Sequence, residues 1–345
     1  MKKLLNTLYV VNPNTYLTLD GENIVVKQED EIKTRVPLHN LESIITFGYS
    51  GVTPALMGAC AKRDIALTFV TMNGRFLASV VGEQTGSVYL RKKQFIVSEN
   101  EAQCAQIAKN MLIGKFYNSR FVIERTCRDY PLRVDVPKLK AQSQLIKQSL
   151  MILNDKTDLE LDSLRGIEGN VASEYFEVFD DLILSNKTEF YFHGRTRRPP
   201  LDNVNAMLSF MYTILSNDVA SALSSVGLDP FVGFLHRDRP GRRSLALDLM
   251  EELRAPMVDR FVLTLINSKQ VNDSDFIQQD NGAVIMKDET RKKILVAWQK
   301  KKQEQLTHPF LKEKITWGLV PYVQSLLLSR YLRGDLDDYP PFLWK

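Results

Sequence analysis

The stretch RFLASVVGEQTGSVYLRKKQFIV, residues 75–97, decides the fold class because the hydrophobic pattern changes within it. Before Gly82 the run is short and rich in β-branched and aromatic residues, as in a strand. Residues 82–87 break that pattern, and beyond them the apolar residues recur at helical spacing. Strands precede helices, which predicts an α+β protein and not alternating βαβ units. We therefore predict an N-terminal β-rich domain over residues 1–84 and a larger all-α C-terminal domain over residues 85–345.

Upstream of this stretch, the predicted strands are short runs bounded by turn residues. Asp20-Gly21 and Asn73-Gly74 predict hairpin turns, since both residue types in each pair tolerate positive φ. Thr53 and Pro54 predict the start of one short helix, as its N-cap and first helical residue. The predicted strands span 8–11, 16–19, 24–27, 44–47, 65–70 and 75–81, with the helix at 54–62.

Downstream, the apolar periodicity is helical and the segments are longer. The tail 338–345 contains Pro340 and Pro341 and cannot be helical through them. The predicted helices span 88–123, 138–153, 159–179, 204–223, 245–254, 258–266, 289–305 and 310–332.

Composition excludes several classes of protein. The 345 residues include 45 Lys and Arg against 41 Asp and Glu, a net charge of +4 that by itself predicts no polyanionic partner. Three cysteines, Cys60, Cys104 and Cys127, are too few and too far apart for a disulfide framework or a thiolate zinc site, which favours a reducing, cytoplasmic setting. No apolar run approaches the roughly 18 residues that would span a membrane.

The first candidate site residue is Glu168, which shares a helix face with apolar residues such as Val171 and Tyr175. A carboxylate within an apolar stripe needs a partner. Gly166 and Gly169 flank it and would allow another element or a ligand to approach the backbone. The alternative is an ordinary first-turn carboxylate favoured by the helix dipole.

The second candidate is a loop followed by a helix, residues 233–253. Asp248 and Glu251, three residues apart, project from one side of the predicted helix, and His236 lies just upstream on the loop. Two carboxylates and an imidazole suit a divalent cation. The alternative is a solvated acidic face beside an unrelated histidine.

Basic residues cluster in three places. An anionic ligand would be drawn to the loop between His236 and the carboxylates, and to an extended segment ahead of residue 200. The segment 291–302 holds six basic residues and no acid, with a narrow apolar stripe of Ile294, Leu295 and Trp298; it predicts either a solvated helix face or a phosphate-binding one. The arginines of the first two clusters are Arg195, Arg197, Arg198, Arg237, Arg239, Arg242 and Arg243.

Three motifs in order along the chain resemble the CRISPR-associated integrases that insert new spacers during adaptation, the family of CRISPR-associated protein one, in its type I-C form. The motifs are Arg165-Gly166-Ile167-Glu168-Gly169, residues 202–209 (Asp-Asn-Val-Asn-Ala-Met-Leu-Ser) and the block 233–252. The resemblance covers essentially the whole chain.

The resemblance implies a metal-dependent DNA endonuclease and integrase that joins the 3′-hydroxyl ends of short foreign DNA to the CRISPR repeat. It implies Mg²⁺ or Mn²⁺ held by Glu168, His236 and Glu251, with Asp248 also required; which of Asp248 and Glu251 is the direct ligand stays open. It further implies binding of duplex spacer precursor and CRISPR repeat DNA, and a homodimer, for which we expect the β-rich N-terminal domain to supply the interface. A small ferredoxin-like CRISPR adaptation protein is expected to bridge two dimers.

The chemistry of the residues agrees with that activity. Transesterification on DNA needs a metal to lower the pKa of the attacking hydroxyl and to neutralise charge on the phosphate. Arginines on the loop would position phosphates and not read bases. Two alternatives remain: a structure-selective nuclease on branched DNA, and a non-catalytic DNA-binding scaffold whose acids only support structure.

Overall fold

The computed structural model describes residues 6–12, 14–29, 31–82, 87–156 and 159–344, and the chain folds into two compact units. The first unit comprises residues 1–85 and 288–304, and the second comprises 86–287 and 305–345. Strands dominate the first unit and helices the second, which confirms the predicted α+β class. The predicted domain boundary between residues 84 and 85 lies outside the described residues.

The first unit contains two four-stranded sheets. One has the order β1-β5-β7-β8, parallel except for the last pair, and the other has the order β4-β3-β2-β6, antiparallel except for β2 and β6. The elements are β1 (Asn6–Val10), β2 (Thr15–Asp20), β3 (Asn23–Gln28), β4 (Glu31–Pro37), β5 (Leu41–Phe47), β6 (Gly51–Val52), α1 (Pro54–Lys62), β7 (Ala66–Val70) and β8 (Phe76–Val80).

Turn chemistry and burial fix this arrangement. Gly21 (φ 57°) closes the β2–β3 hairpin, and Gly74 (φ 83°) lies in the turn before β8, as the Asp-Gly and Asn-Gly pairs predict. Thr53 caps α1 by accepting a hydrogen bond from the Leu56 backbone N–H. Leu17, Ile44 and other fully buried side chains of both sheets pack with α1 in a single core.

Strand β4 was missed because it has little buried surface. It lies at the edge of its sheet, and its first five residues are exposed. Lys33 forms an ion pair with Glu31 at 2.7 Å, and Arg35 forms one with Asp20. Charges at alternate positions are a common feature of edge strands, since they oppose pairing with another chain.

Helix α9 (Asp288–Gln303) belongs to the first unit although it is distant in sequence from the strands. Its predicted apolar stripe of Ile294, Leu295 and Trp298 is buried. Gln299 donates a hydrogen bond to the Thr7 carbonyl at 2.7 Å, and the Lys302 ammonium lies 3.6 Å from Glu42. Arg291 is also buried and pairs with Asp288. Lys302 and Arg291 therefore belong to the packed part of the helix, which reduces the positive charge that α9 can present to a ligand.

The second unit is a set of helices with two small hairpins. The hairpins are β9 (Phe276–Gln278) with β10 (Val284–Met286), and β11 (Gln305–Thr307) with β12 (Lys314–Thr316). The helices are α2 (Val88–Ser98), α3 (Glu101–Asp129), α4 (Val136–Asp155), α5 (Leu161–Glu177), α6 (Asn203–Ser225), α7 (Ser244–Leu253), α8 (Arg260–Asn267) and α10 (Val320–Arg333), with a π-helical segment Arg254–Asp259 between α7 and α8.

Helix α3 is central, because α4, α5 and α7 all pack against it. The prediction of one helix over 88–123 was wrong: the chain breaks at Glu99-Asn100, where the Asn100 side chain accepts a hydrogen bond from the Gln103 N–H at 3.0 Å and starts α3. Gly114 on α3 allows α7 to approach closely, since a Cβ there would lie 2.8 Å from the Glu252 Cβ. The helix that bears the candidate acids is thus set directly against α3.

The predicted helix 310–332 begins only at residue 320. Residues 305–316 form the β11–β12 hairpin instead, with Lys312 at φ 58° in its connection. The left-handed conformation of Lys312 is incompatible with a continuous α-helix, whereas Pro321 occupies the first turn of α10, where proline is tolerated. The tail is not helical, as predicted.

The C-terminal tail is anchored in the helical unit by Glu252. The Phe342 N–H donates to Glu252 Oε2 at 2.8 Å, and the Tyr339 hydroxyl donates to Glu252 Oε1. Gln324 on α10 donates to Glu252 Oε1 at 2.9 Å and to the Tyr339 oxygen at 2.7 Å. Burial raises the pKa of Glu252 to about 7, although these hydrogen bonds act in the opposite direction.

His308 belongs to the same hydrogen-bond network, and its burial leads us to expect that the free energy of unfolding depends on pH. It is fully buried, its Nε2 lies 3.1 Å from Gln324 Oε1, and its Nδ1 accepts a hydrogen bond from the Leu311 N–H. Burial lowers its pKa to about 4 from 6.5. As the pH falls, the unfolded chain therefore binds a proton at this histidine before the folded chain does. The neutral, buried imidazole makes its full contribution to the free energy of unfolding above pH 6.5. That free energy then decreases by about 3 kcal/mol between about pH 6.5 and pH 4.

We expect His308→Asn to remove this dependence. Urea unfolding at pH 7, 5.5 and 4.5 should show the wild type approaching the variant in stability as the pH falls. His39→Asn, an exposed histidine, is the matched control and should parallel the wild type. A difference between wild type and His308→Asn that is the same at all three values would contradict the prediction.

Within the described ranges, none of the helices is both long and apolar enough to cross a membrane.

The three cysteines are all buried, and none of them forms a disulfide.

Candidate active site

Glu168 lies on α5 with its side chain 30% exposed, between the buried face of the helix and solvent. Val171 and Tyr175, on the same face, are buried as predicted. Gly166 and Gly169 face open space, because a Cβ on either would meet no atom within 4 Å. The expected close approach of another element at these glycines is therefore not seen, and the room beside Glu168 is open to a ligand.

Asp248 organises the loop that carries His236. Asp248 Oδ2 accepts hydrogen bonds from the backbone N–H groups of Phe234 (2.6 Å) and Leu235 (2.9 Å), and Oδ1 accepts from the N–H of His236 (2.9 Å). Asp248 Oδ1 also lies 2.6 Å from His236 Nδ1. Both oxygens are thus occupied in holding the loop and the imidazole ring.

Gly233 is required for this arrangement. A Cβ there would lie 2.7 Å from Asp248 Oδ2 and 2.7 Å from the Ser244 Cβ, closer than real contacts allow. On the outer side, Arg165 of α5 donates to the Leu235 carbonyl at 2.8 Å, and Asp162 pairs with both Arg165 and Arg237. The loop is therefore fixed between α7 and the first turns of α5.

Helix α7 begins at Ser244 and is buried along its whole length apart from Leu247. Its predicted apolar stripe lies in the core. Asp248 is 0% exposed and Glu251 is 3% exposed. The alternative of a solvated acidic face is therefore excluded for α7, because burial of carboxylates demands specific partners.

Those partners link the predicted residues into one cluster. The Lys115 ammonium, on α3, bridges Glu168 Oε1 and Glu251 Oε2, the second at 2.8 Å. Glu251 Oε1 lies 2.9 Å from Arg254 Nη2 and 3.9 Å from His236 Nε2. Glu168, Glu251 and His236 thus converge from three separate elements.

The charges around Glu251 keep it ionised. Burial alone would raise its pKa, but Arg254, Lys115 and His236 outweigh burial and lower the pKa to about 2. The same attraction raises the pKa of Arg254, against the opposing effect of its own burial. The site therefore holds a buried carboxylate whose charge is balanced by neighbouring cations.

Arg254, the ion-pair partner of Glu251, is itself held by a second set of side chains. Arg254 and Arg195 each lie over the Tyr212 ring, at 5.1 and 5.4 Å from its centroid. The Tyr212 hydroxyl donates to Asp259 on the π-helical segment. Burial raises the pKa of Asp259 to about 6, with the tyrosine hydrogen bonds opposing it. These side chains hold Arg254 in place, and Arg254 in turn positions the Glu251 carboxylate.

The donor set of the cluster fits a divalent cation. Two carboxylates and one imidazole nitrogen are ligands that Mg²⁺ and Mn²⁺ accept. Across the described ranges, no three His, Cys, Asp or Glu side chains are already gathered closely enough to hold an ion. The Lys115 ammonium instead lies between two of the donors, Glu168 and Glu251, where its positive charge takes the place of a metal ion.

Lys115 and Arg254 were not singled out from the sequence. The signal for Lys115 was available: it recurs at helical spacing with Ala108, Met111 and Val122, all of them buried. A charged residue within an apolar stripe is the pattern that identified Glu168 on α5. Arg254 gave no comparable signal, because it lies in a π-helical segment where the helical spacing is altered.

The predicted phosphate-binding arginines divide into two groups. Arg195 is engaged with Asn205 Oδ1 (2.7 Å) and Ser209 Oγ (3.1 Å), and Arg243 with Asn217 Oδ1 (2.8 Å). Burial lowers the pKa of both guanidinium groups, as for groups built into the fold. Of the other five, Arg242 is half-buried and the remaining four are exposed: Arg197, Arg198, Arg237 and Arg239.

A cavity of about 560 Å³ lies beside α5. It begins at Ala172, one turn along the helix from Glu168, and is lined further by Phe176, Phe192, His193 and Arg197. Aromatic and basic side chains together suit a nucleotide, which offers a flat base and an anionic phosphate.

Comparison with known proteins identifies the family. The family described as CRISPR associated protein Cas1 matches residues 8–300. The CRISPR-associated endonuclease Cas1 1 of Chlorobaculum tepidum is 47% identical over 345 residues, and Cas1 2 of Rhodospirillum rubrum is 50% identical over 347 residues; each match covers 100% of both chains.

Solved structures share the fold. A casposase bound to integration product has a TM-score of 0.83 at 24% identity, covering 99% of this chain and 95% of that one. A chain of a Cas6-RT-Cas1–Cas2 complex has a TM-score of 0.81 at 22% identity, covering 100% of this chain and 36% of that one. A Cas1 protein from Thermotoga maritima has a TM-score of 0.78 at 22% identity, covering 96% and 97%. The subtype stays a prediction, but the fold and the full-length relatives agree: the chain belongs to the CRISPR-associated Cas1 family.

Proposed function

We propose that this protein is a metal-dependent DNA endonuclease and integrase of CRISPR adaptation, which joins 3′-hydroxyl ends of short DNA to the CRISPR repeat by transesterification. The observation that carries the proposal is the convergence of Glu168, Glu251 and His236 in one cluster, in which the Lys115 ammonium lies between the two glutamates. Its relatives are named CRISPR-associated endonucleases, and a protein of the same fold was solved with an integration product.

In this proposal, Glu168, Glu251 and the Nε2 atom of His236 hold Mg²⁺ or Mn²⁺. Such an ion supplies Lewis acidity, lowering the pKa of an attacking hydroxyl and neutralising charge on a scissile phosphate. Arg254 keeps Glu251 ionised and correctly placed, so that its carboxylate offers a full negative charge.

Asp248 is a positioning residue and not a ligand, because its two oxygens are committed to three backbone N–H groups and to His236 Nδ1. An imidazole whose Nδ1–H donates to a carboxylate presents the lone pair of Nε2, and the carboxylate fixes the ring orientation. These contacts support Glu251 as the direct ligand and Asp248 as the residue that positions the His236 loop.

The exposed arginines, together with the half-buried Arg242, bind the DNA backbone. Arg237, Arg239 and Arg242 lie on the His236 loop, and Arg197 lines the cavity beside α5. Guanidinium groups bind phosphates by paired hydrogen bonds and fix the register of a strand without reading its sequence.

We also propose that the protein acts as a homodimer in the reducing cytoplasm, with a small ferredoxin-like adaptation protein bridging two dimers. Its buried free cysteines suit a reducing compartment. A chain of the same fold occurs in a complex with Cas2, which supports a protein partner of this kind.

The test is joining of a short duplex with free 3′-hydroxyl ends to a supercoiled plasmid carrying CRISPR repeats, with Mn²⁺ and the small partner present. We expect joining by the wild type, none with a chelator, and a loss of at least about 100-fold in Glu168→Ala and His236→Ala. Asp155→Ala, an exposed acid at the end of α4 that lines neither the cluster nor the cavity, is the control and should join normally.

Product analysis separates the alternatives. Covalently joined strands support integration, whereas shortened strands alone would show a nuclease acting on branched DNA. Salt-sensitive DNA binding without divalent-ion binding, cleavage or joining would show a scaffold. Undiminished joining by both alanine variants would refute the site assignment.

A further inference from the structure

Lys115 is a cation built into the candidate metal site. Its side chain is 11% exposed and lies on the buried face of α3, the central helix of the second unit. The ammonium bridges Glu168 on α5 and Glu251 on α7. A lysine in such surroundings loses hydration and rotamer freedom, which only strong partners can offset.

The bridge balances the charge of the two carboxylates. Glu251 has a second cation, Arg254, on its other oxygen, so that Lys115 is left to serve the side that faces Glu168. Without the ammonium, two carboxylates would face one another in a partly buried site, and like charges at short range repel. Lys115 therefore keeps Glu168 and Glu251 close together.

A divalent ion and the ammonium cannot share this position. Mg²⁺ binds carboxylate oxygens at about 2.1 Å, whereas the Lys115 nitrogen lies 2.8 Å from Glu251 Oε2. An ion contacting both glutamates would lie against the ammonium, and two unscreened positive charges at that separation repel strongly.

We propose that Lys115 is a resident placeholder: its ammonium holds Glu168 and Glu251 in register before a divalent ion arrives, and binding of the ion displaces it from between them. The inference rests on the proposed metal site. It gives Lys115 two opposing effects, since the lysine preorganises the ligands but competes with the metal for them. Half-filling of the site then requires a higher ion concentration than its ligands alone would require, because part of the binding free energy is used to displace the ammonium.

Replacement of Lys115 by methionine tests the competition. Met keeps the length of the side chain and removes the charge. We expect Lys115→Met to bind Mn²⁺ at least about tenfold more tightly than the wild type in isothermal titration calorimetry, corresponding to about 1.4 kcal/mol. Lys109→Met is the matched control, because Lys109 lies on the same helix and donates to the Lys156 carbonyl at 2.9 Å, outside the site. Glu168→Ala provides the blank for ions bound elsewhere on the chain.

The outcomes separate the two proposals. Equal affinity of the wild type, Lys115→Met and Lys109→Met, above the Glu168→Ala blank, would leave the metal site standing and overturn the placeholder role. Weaker binding by Lys115→Met would overturn it as well, by showing that the lysine only assists the ion. Absence of site-specific binding in both the wild type and Lys115→Met would overturn the metal site and, with it, the placeholder.

A measurement on the wild type does not depend on folding of a variant. Reductive methylation followed by mass spectrometry reports how accessible each lysine is. We expect saturating Mn²⁺ to increase the reactivity of Lys115 several-fold and to leave Lys109 unchanged. Unchanged Lys115 reactivity, at a Mn²⁺ concentration where calorimetry shows the site filled, would refute displacement.

Discussion

Glu251→Ala should reduce strand joining at least about 1,000-fold and also lower the free energy of unfolding by about 3–5 kcal/mol. The second effect follows from burial. Glu251 is 3% exposed and lies 2.9 Å from Arg254 Nη2 and 2.8 Å from the Lys115 ammonium. Without the carboxylate, a buried guanidinium loses its partner and Lys115 keeps only Glu168.

Glu168→Ala is the informative comparison, because the two glutamates have the same proposed role but different surroundings. Glu168 is 30% exposed, and its removal leaves Lys115 paired with Glu251. We expect loss of joining with a change in stability of less than about 1 kcal/mol. Urea unfolding gives the stability of both variants, and the joining assay gives their activity. Equal loss of stability in the two variants would contradict the described environment of Glu251.

Asp248→Ala should lower the free energy of unfolding by about 3–6 kcal/mol, because it leaves three buried backbone N–H groups and an imidazole nitrogen without their acceptor. Joining should fall at least about 100-fold, since the ring of His236 loses the partner that orients it. Asp248→Asn keeps the shape of the side chain and should lie between the wild type and Asp248→Ala in both measurements.

Hydrogen exchange locates this effect. We expect the amides of Phe234, Leu235 and His236 to lose protection in Asp248→Ala while α3 keeps its own. Asp238→Asn, an exposed acid on the same loop, is the matched control and should leave exchange and stability unchanged. Unaltered protection of the loop in Asp248→Ala would show that other contacts hold it.

Much of the fold could be predicted from periodicity because burial and pattern agree there. Six strands of the first unit agree with the predicted runs, whereas the exposed edge strand β4 and the two-residue strand β6 were not predicted. Errors in the helical part came from local breaks. Asn100 ends one helix and caps the next, and residues 305–316 form a hairpin. The helix break and the hairpin are each determined by a few residues, whereas the spacing of apolar residues is judged over a window of many residues.

The candidate site could be predicted only in part. Periodicity and spacing singled out the acids and the histidine, which the structure brings together, but spacing could not distinguish Asp248 from Glu251, since both are expected on one side of the helix. Tertiary contacts distinguish them: Asp248 accepts hydrogen bonds from the His236 loop, whereas α3 brings Lys115 to Glu251. Lys115 is far from Glu168 and Glu251 in sequence, so no local pattern relates them.

The first compact unit is discontinuous, since helix α9 returns to strands made much earlier in the chain. During synthesis, its sheets therefore emerge well before α9, whose Gln299 binds the Thr7 carbonyl of β1. Closing so long a loop is slow, which leaves an unfinished unit exposed while the helical unit is still being made. A fragment ending near residue 85 would lack α9, so a soluble N-terminal fragment should be designed by joining residues 288–304 to it through a linker.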